Sequence, residues 1–124
     1  MSVPKIHEGE YRFCLIMWEY QPIKAVDLAK LCKEKLAWKR TTTYTIIKRL
    51  GERGVLKLEN GIVTALISKE KAEAAEIETF VESKFGGSLP AFVAAFTKHQ
   101  DLSDSDLDEV QKMIDRIRKG GGSQ

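Results

Sequence analysis

The side chains best suited to binding chemistry lie in one segment, residues 38–61, with the sequence WKRTTTYTIIKRLGERGVLKLENG. Its threonines, lysines and arginines can bond base edges and phosphates, and threonine methyls can contact thymine methyls. The segment predicts a helix that ends at Gly54, followed by a hairpin that turns at Asn60-Gly61. This order is typical of a winged helix-turn-helix that reads a DNA major groove. The alternative is a solvated amphipathic helix.

At 100° per residue, this predicted helix separates into two faces. The apolar face, expected in the core, holds Thr43, Ile46, Ile47 and Leu50. From the opposite side we expect base contacts by Thr41, Thr42, Thr45 and Lys48. Phosphates are expected to be held by Arg40, Tyr44 and Arg49 and, from the hairpin, by Lys57 and Asn60.

The start of this helix carries cations where acids are usual. Lys39 and Arg40 lie at the positive end of the helix dipole, and the first turn holds no Asp or Glu. Each such cation costs roughly 0.3–1 kcal/mol of helix stability. A phosphate docked at this end would make the same cations favourable. Thr41–Thr43 are also β-branched and open a helix poorly. A conflict between local chemistry and local structure indicates a functional surface.

The distribution of charge supports the same interpretation. The chain has 124 residues, 43% of them hydrophobic, and a formal net charge of +2. Residues 1–67 hold 12 Lys/Arg and 7 Asp/Glu, whereas residues 68–124 hold 8 and 11. A basic first half and an acidic second half favour nucleic-acid binding by the first half. Chance asymmetry in a short chain is the alternative.

The cysteines and histidines do not indicate a metal or cofactor site. Cys14 and Cys32 lie in apolar helical patterns typical of small buried residues in a reducing cytosol. With His7 and His99 they form no metal-binding spacing, so neither metal nor cofactor is expected. The chain has no apolar run of 18 residues and no signal peptide, which predicts a cytoplasmic protein that does not enter membranes.

The first half predicts three helices and a hairpin, over residues 6–19, 24–36 and 39–53 and then strands 55–59 and 62–67. The hairpin register is expected to turn Leu56, Leu58, Val63, Ala65 and Ile67 inward. Trp38 is interpreted as a core residue rather than a base-stacking one. The predicted fold class is mainly α with a small β-hairpin, with residues 1–67 as a winged helix-turn-helix DNA-binding domain.

The second half predicts three more helices, capped by Ser68, Ser88 and Ser103. The middle helix, around LPAFVAAFTKH, is apolar nearly all round and should be buried on several sides. Because about 50 residues make a poor isolated core, we interpret residues 68–119 as a dimerisation region and 120–124 as a flexible tail. The expected dimer contacts are Ile77, Phe80, Val81, Phe85, Phe92, Phe96, Leu107, Val110, Ile114 and Ile117. Folding back onto the chain's own winged helix is the alternative.

From Ile6 to about Arg118 the chain resembles the penicillinase repressors, with the methicillin-resistance regulator and the copper-transport repressor as relatives. An acid followed by aromatic and apolar residues up to a tryptophan matches Glu10, Tyr11 and Trp18. The family's tryptophan before the recognition helix matches Trp38, and the two threonines of that helix match Thr42 and Thr45. The Arg-Leu pair of the helix matches Arg49-Leu50, and the glycine before the wing matches Gly54. The phrase LSDSDLDEVQKMI resembles the family's last helix.

The resemblance implies a winged-helix repressor that dimerises through its C-terminal helices and binds palindromic operators upstream of resistance genes. Lys39 and Arg40 replace the family's small capping residue and its neighbour, so the operator is expected to differ. Copper sensing through a cysteine-rich tail is not supported, because the chain ends GGGSQ. Family members are inactivated by a sensor protease at an Asn-Phe bond, and the matching bond here is Ala95-Phe96.

Two other functions stay open at this stage. One is a ligand-responsive winged-helix regulator, and the other is a winged helix used for protein contacts within a larger assembly. An enzyme is not expected. The acids Asp104, Asp106 and Asp108 crowd a predicted helix start, where capping and the helix dipole explain them.

Overall fold

The computed structural model describes residues 3–120, which form six α-helices and a three-stranded antiparallel sheet. The helices are α1 (Glu8–Tyr20), α2 (Ala25–Leu36), α3 (Arg40–Arg53), α4 (Lys69–Phe85), α5 (Leu89–Lys98) and α6 (Asp104–Lys119). The strands are β1 (Ile23–Lys24), β2 (Leu56–Glu59) and β3 (Ile62–Ala65). The predicted fold class is confirmed. Of the predicted tail, residues 121–124 lie outside the described residues.

The chain divides into two compact units, the first running to Thr79 and the second starting at Phe80, so the division lies within α4. In the first unit, α1, α2 and α3 share one hydrophobic core with the sheet. Each fully buried aliphatic or aromatic side chain contributes roughly 1.5–3 kcal/mol to this core. Its fully buried members include Phe13, Met17, Leu28, Ile47, Leu50, Val55, Leu56 and Val63.

The β2–β3 hairpin, called the wing below, turns where the sequence predicted. Asn60 and Gly61 have φ of 53° and 77°, the left-handed conformations that a tight hairpin turn requires. Leu58 pairs with Val63 and Leu56 with Ala65. On the other edge of β3 lies β1, with Ile23 opposite Val63. Sequence analysis missed β1 because two residues carry no recognisable alternation.

One expected core residue of the wing is not in the core. Leu58 was predicted to point inward with Leu56, but its side chain is 51% exposed, whereas Leu56 is buried. Only the start of β2 packs against the helices, so alternation along the strand does not guarantee burial further on. Val63 is fully buried, and Ala65 and Ile67 are half-buried.

A partly buried ion pair joins the start of α1 to the end of α3. The Arg53 guanidinium donates from Nη2 to Glu10 Oε2 and from Nη1 to the carbonyl of Lys5, the latter at 2.8 Å. Glu10 Oε1 accepts from the backbone N–H of His7 at 2.9 Å. Burial alone would raise the pKa of Glu10, but the hydrogen bonds from Arg53 and His7 outweigh it and lower that pKa.

In the second unit, serine caps begin the helices as predicted. The Ser88 Oγ accepts from the Ala91 N–H at 3.1 Å and the Ser103 Oγ from the Asp106 N–H at 3.0 Å. The phenylalanines Phe80, Phe85 and Phe92 meet edge to face, with ring centroids 5.7–6.1 Å apart. These caps and ring contacts are local, between neighbouring turns or adjacent helices.

The expectation that α5 is buried on several sides is wrong for the single chain, since no residue of α5 is buried. Of the predicted dimer contacts, Val81 is buried within the chain, and Phe85 and Phe92 are half-buried. The others are 42–64% exposed: Ile77, Phe80, Phe96, Leu107, Val110, Ile114 and Ile117. The predicted dimerisation region therefore leaves most of its apolar side chains in contact with water.

Two further findings concern the described part of the chain. No helix within residues 3–120 is long and apolar enough to cross a membrane. The same residues contain no group of three or more His, Cys, Asp or Glu side chains placed to hold a metal ion.

Replacing Glu10 by glutamine is expected to lower the free energy of unfolding of the first unit by about 2 kcal/mol at neutral pH. The substitution leaves the partly exposed Arg53 charge without its carboxylate. Because the folded-state pKa of Glu10 is lowered, the stability it adds is present above its ordinary value near 4.5 and is lost as pH falls through the folded-state pKa. The difference between wild type and Glu10→Gln should therefore shrink below that pH.

Urea unfolding followed by the fluorescence of Trp18 and Trp38, both in the first unit, measures this difference. The control is Glu73→Gln, which removes an exposed ion pair to Lys69 at 3.8 Å and should change stability by no more than about 0.5 kcal/mol. Equal effects of the two substitutions, or an effect of Glu10→Gln that persists at pH values below both pKa values, would contradict the interpretation.

Candidate nucleic-acid interface

Helix α3 has the two faces that its sequence predicts. Thr43, Ile46, Ile47 and Leu50 are buried against α2 and the wing. Every side chain predicted to contact DNA from this helix is exposed, and these form what we call the recognition face: Arg40, Thr41, Thr42, Tyr44, Thr45, Lys48 and Arg49. On the wing, Lys57 and Asn60 are exposed as well. The predicted contact residues are thus all accessible.

The N-terminus of α3 is open. Lys39 occupies the N-cap position without a side-chain capping hydrogen bond, and no acid lies in the first turn. The first N–H groups of a helix lack intrahelical acceptors, and the dipole favours an anion at that end. Together with the Lys39 and Arg40 side chains, this end can hold a phosphate.

Most cations of this surface are free to bind an anion. Within residues 3–120, Lys39, Arg40, Lys48 and Arg49 form no ion pair. Lys57 differs, because its Nζ lies 3.5 Å from the Glu59 carboxylate on the same strand. A phosphate at Lys57 would have to share that ammonium with Glu59, which sequence reasoning did not anticipate.

The hydroxyl of Thr45 already forms a hydrogen bond within α3. Its Oγ1 donates to the carbonyl of Thr41 at 2.9 Å, the bond that threonine commonly makes one turn back along a helix. The hydroxyl proton is therefore unavailable, while an oxygen lone pair and the methyl group remain. Thr45 can accept a hydrogen bond or contact a thymine methyl, but it cannot donate to a base acceptor without breaking the bond to Thr41.

Trp38, just before α3, belongs to the core side of the site. Its ring lies parallel to that of Phe13, with centroids 6.3 Å apart and planes 3° apart. This position confirms its interpretation as a core residue and holds the start of α3 against α1.

A groove of about 710 Å³ lies between α3 and β2, and sequence reasoning missed it. Its lining includes Ile47 and Leu56, which are buried, and the exposed Gly51, which presents only a hydrogen. We call this feature the α3–β2 groove, and its remaining lining residues are Tyr44, Lys48, Glu52, Lys57, Leu58 and Leu66. The available signal was Gly51, a glycine inside a predicted helix.

The two cysteines lie in the core of the first unit, away from this surface. Burial raises the pKa of the Cys14 thiol to about 12 and also raises that of Cys32. Both thiols are therefore protonated at neutral pH and are poor nucleophiles and poor metal ligands.

Residues 6–116 match the sequence profile of the family described as penicillinase repressor. The chain belongs to the penicillinase repressor family. It is 19% identical over 119 residues to the penicillinase repressor of Staphylococcus aureus, covering 93% of this chain and 94% of that protein. It is also 25% identical over 114 residues to an uncharacterized 16.5 kDa protein in the ptsI 3′ region of Latilactobacillus sakei, covering 89% and 78% respectively.

The penicillinase repressor family is a family of transcriptional repressors. The matched region extends from the start of α1 into the last turns of α6, so it includes both compact units. In this family the open, basic N-terminus of α3 is consistent with transcription regulation through DNA.

Replacing Gly51 by alanine is expected to raise the free energy of unfolding by about 0.4–1 kcal/mol, because alanine is the better helix former and restricts the unfolded chain. The new Cβ would lie 3.7 Å from Leu56 Cδ1, an ordinary contact. Gly54 is the matched control: it ends α3 with φ of 85°, so Gly54→Ala should destabilise the protein by about 1 kcal/mol. Urea unfolding measures both, and a destabilised Gly51→Ala protein would show that the helix needs this glycine.

Proposed function

We propose that this member of the penicillinase repressor family is a homodimeric winged-helix repressor that binds a palindromic DNA operator. The observation that carries the proposal is α3, whose four apolar-face residues are buried while its whole recognition face is exposed. The recognition helix enters the major groove in this proposal, and the wing contacts the flanking backbone. Residues 1–67 act as the DNA-binding domain and residues 68–119 as the dimerisation region.

The assignment of contacts follows from side-chain chemistry. Thr41, Thr42, Thr45 and Lys48 are nearest the bases, and Thr45 acts as an acceptor or a methyl contact since its proton is bonded to Thr41. Adenine N6, cytosine N4 and the thymine methyl are the groups that such a side chain can recognise. Phosphates are held by Arg40, Tyr44, Arg49, Lys57 and Asn60.

The second unit supports dimerisation by what it leaves uncovered. Leu107, Val110, Ile114 and Ile117 follow one another at intervals of three, four and three residues, the spacing of a coiled-coil seam, and all are exposed. We call them the α6 stripe. Exposing such an apolar stripe to water is energetically unfavourable. In a symmetric dimer, the identical stripe of the second copy would cover it.

Charge along α6 favours an antiparallel pairing of the two stripes. The helix begins with Asp104, Asp106 and Asp108 and ends with Arg116, Arg118 and Lys119. Two copies side by side in opposite directions place the acids of one against the bases of the other, whereas a parallel pair places like charges together.

Release from the operator by proteolysis, as the family resemblance implies, would act at Ala95-Phe96. Both residues are exposed and lie inside α5, where the backbone is helical. A protease binds an extended chain, so α5 has to unfold locally before cleavage. A sensor protease and a resistance-type target gene complete this proposal.

Selection of bound duplexes from a random pool at moderate salt tests the function directly. Recovery of a palindrome with half-sites about 34–36 Å apart, one helical turn, would support a dimeric repressor. No enrichment at low or moderate salt would favour the alternative, a winged helix used for protein contacts.

Two lysine variants distinguish base contacts from phosphate contacts. Lys48→Ala is expected to weaken operator binding by about tenfold or more and to change base preference. Lys57→Ala should weaken operator and random DNA alike and reduce the log–log salt slope by about 0.9 or less, given its pairing with Glu59. Fluorescence anisotropy with both duplexes at several salt concentrations measures this. Equal losses on the two duplexes for Lys48→Ala would disprove its base contact.

Replacing Ile114 by aspartate is expected to dissociate the dimer at micromolar concentrations, because it places a charge in the α6 stripe. Operator affinity should then fall by at least about tenfold, since the two half-sites are no longer bound together. Gln111→Asp introduces the same charge on the same helix outside the stripe and should leave the dimer intact. Sedimentation velocity measures the oligomeric state, and an unchanged Ile114→Asp dimer would remove α6 from the interface.

A further inference from the structure

The α3–β2 groove exposes apolar side chains beside the recognition face. Tyr44, Leu58 and Leu66 are 37%, 51% and 55% exposed and border a base made by the buried Ile47 and Leu56. All of these residues belong to the first unit. Phosphates and sugars gain little from leucine side chains, so Leu58 and Leu66 give the groove an apolar part that the proposed phosphate contacts do not use.

Gly51 keeps the base of the groove open. A glycine inside a helix lowers stability relative to alanine, and no steric contact explains this one, since a Cβ here would make only an ordinary 3.7 Å contact with Leu56. Backbone geometry does not explain this glycine either, because its φ is not in the left-handed region. Gly51 leaves room above Leu56 for an apolar group that does not belong to this chain's core.

The charged side chains at the rim of the groove indicate which charge a ligand should carry. Lys48 forms no ion pair within the described part of the chain, whereas Lys57 is already close to Glu59. The acid on the rim is Glu52, one turn beyond Lys48. One unpaired ammonium beside apolar surface suits a single anionic group, and Glu52 disfavours a second negative charge nearby.

We propose that the α3–β2 groove binds a small amphipathic carboxylic acid. Its carboxylate pairs with Lys48, and its hydrocarbon body lies over Gly51 between Leu58 and Leu66. An apolar lining with few polar groups is the usual lining of a small-molecule site. Lys48 and Tyr44 are also proposed DNA contacts, so a bound acid and DNA compete. This competition rests on the proposed function, whereas the binding itself does not.

Titration of the ¹⁵N-labelled full chain with 4-phenylbutyrate, without DNA, tests the site. Saturable amide shifts are expected at Gly51, Glu52 and Leu58, with a Kd on the order of 1 mM. Lys48→Gln should weaken 4-phenylbutyrate about fivefold and leave binding of the neutral 4-phenyl-1-butanol unchanged, because it removes only the charge contact. Amide spectra of the unliganded variants verify that each is folded.

The apolar contact has its own matched pair of variants. Leu58→Ser should weaken both ligands about fivefold or more, because it removes apolar contact area. Ile62→Ser is the control, since Ile62 is an exposed apolar residue of the same hairpin that does not line the groove. No saturable shift up to about 10 mM ligand, or equal losses in the two variants, would overturn the site.

A second experiment tests the competition. Addition of 4-phenylbutyrate to a complex of the chain with its selected duplex should lower DNA affinity, and Leu58→Ser should raise the 4-phenylbutyrate concentration needed for that effect about fivefold or more. Binding of the acid in the groove with unchanged DNA affinity would overturn the competition alone. If the chain binds no duplex, the proposed function and the competition fail, while the titration without DNA still decides whether the site exists.

Discussion

The proposed contacts with DNA depend on the burial of one face of α3. Thr43, Ile46, Ile47 and Leu50 anchor the helix in the core of the first unit, and the 100° step between residues then fixes where the opposite side chains point. A rotation by one residue would bring Tyr44 and Lys48 into the core and would bury an ammonium without a partner. Because packing in the core stabilises the helix, its outward face can carry threonines, which are poor helix formers, as contact residues.

The C-terminal end of α3 is held by an ion pair rather than by apolar packing. Glu10 and Arg53 form a mostly buried pair in which the carboxylate also accepts from His7 and the guanidinium also donates to Lys5. Replacing such a pair by apolar residues often costs nothing, so its net contribution to stability is small. Its directional hydrogen bonds, however, allow few relative positions of α1 and α3. The pair therefore constrains how α3 lies against α1.

The sequence predicts features whose causes are local. The end of α3 at Gly54, the turn at Asn60-Gly61 and the caps at Ser88 and Ser103 each depend on a few neighbouring residues. The missed features depend on distant ones. Glu10 and Arg53 are 43 positions apart, β1 exists only through its pairing with β3, and Leu58 is exposed because only the start of β2 is buried. The faces of α3 were predictable because a helix converts local periodicity into direction, whereas the α3–β2 groove arises only when two elements meet.

The two units place different demands on regulation. If the α6 stripes hold two recognition helices together, operator affinity exceeds that of one half-site because the second contact is intramolecular. Blocking one recognition face then removes that advantage for the whole dimer, so a ligand of modest affinity can have a large effect on occupancy. The α3–β2 groove shares Lys48 and Tyr44 with the recognition face, so such a ligand needs no conformational change to act. Steric competition at a shared surface is sufficient, because each ligand binds only the form that the other leaves free.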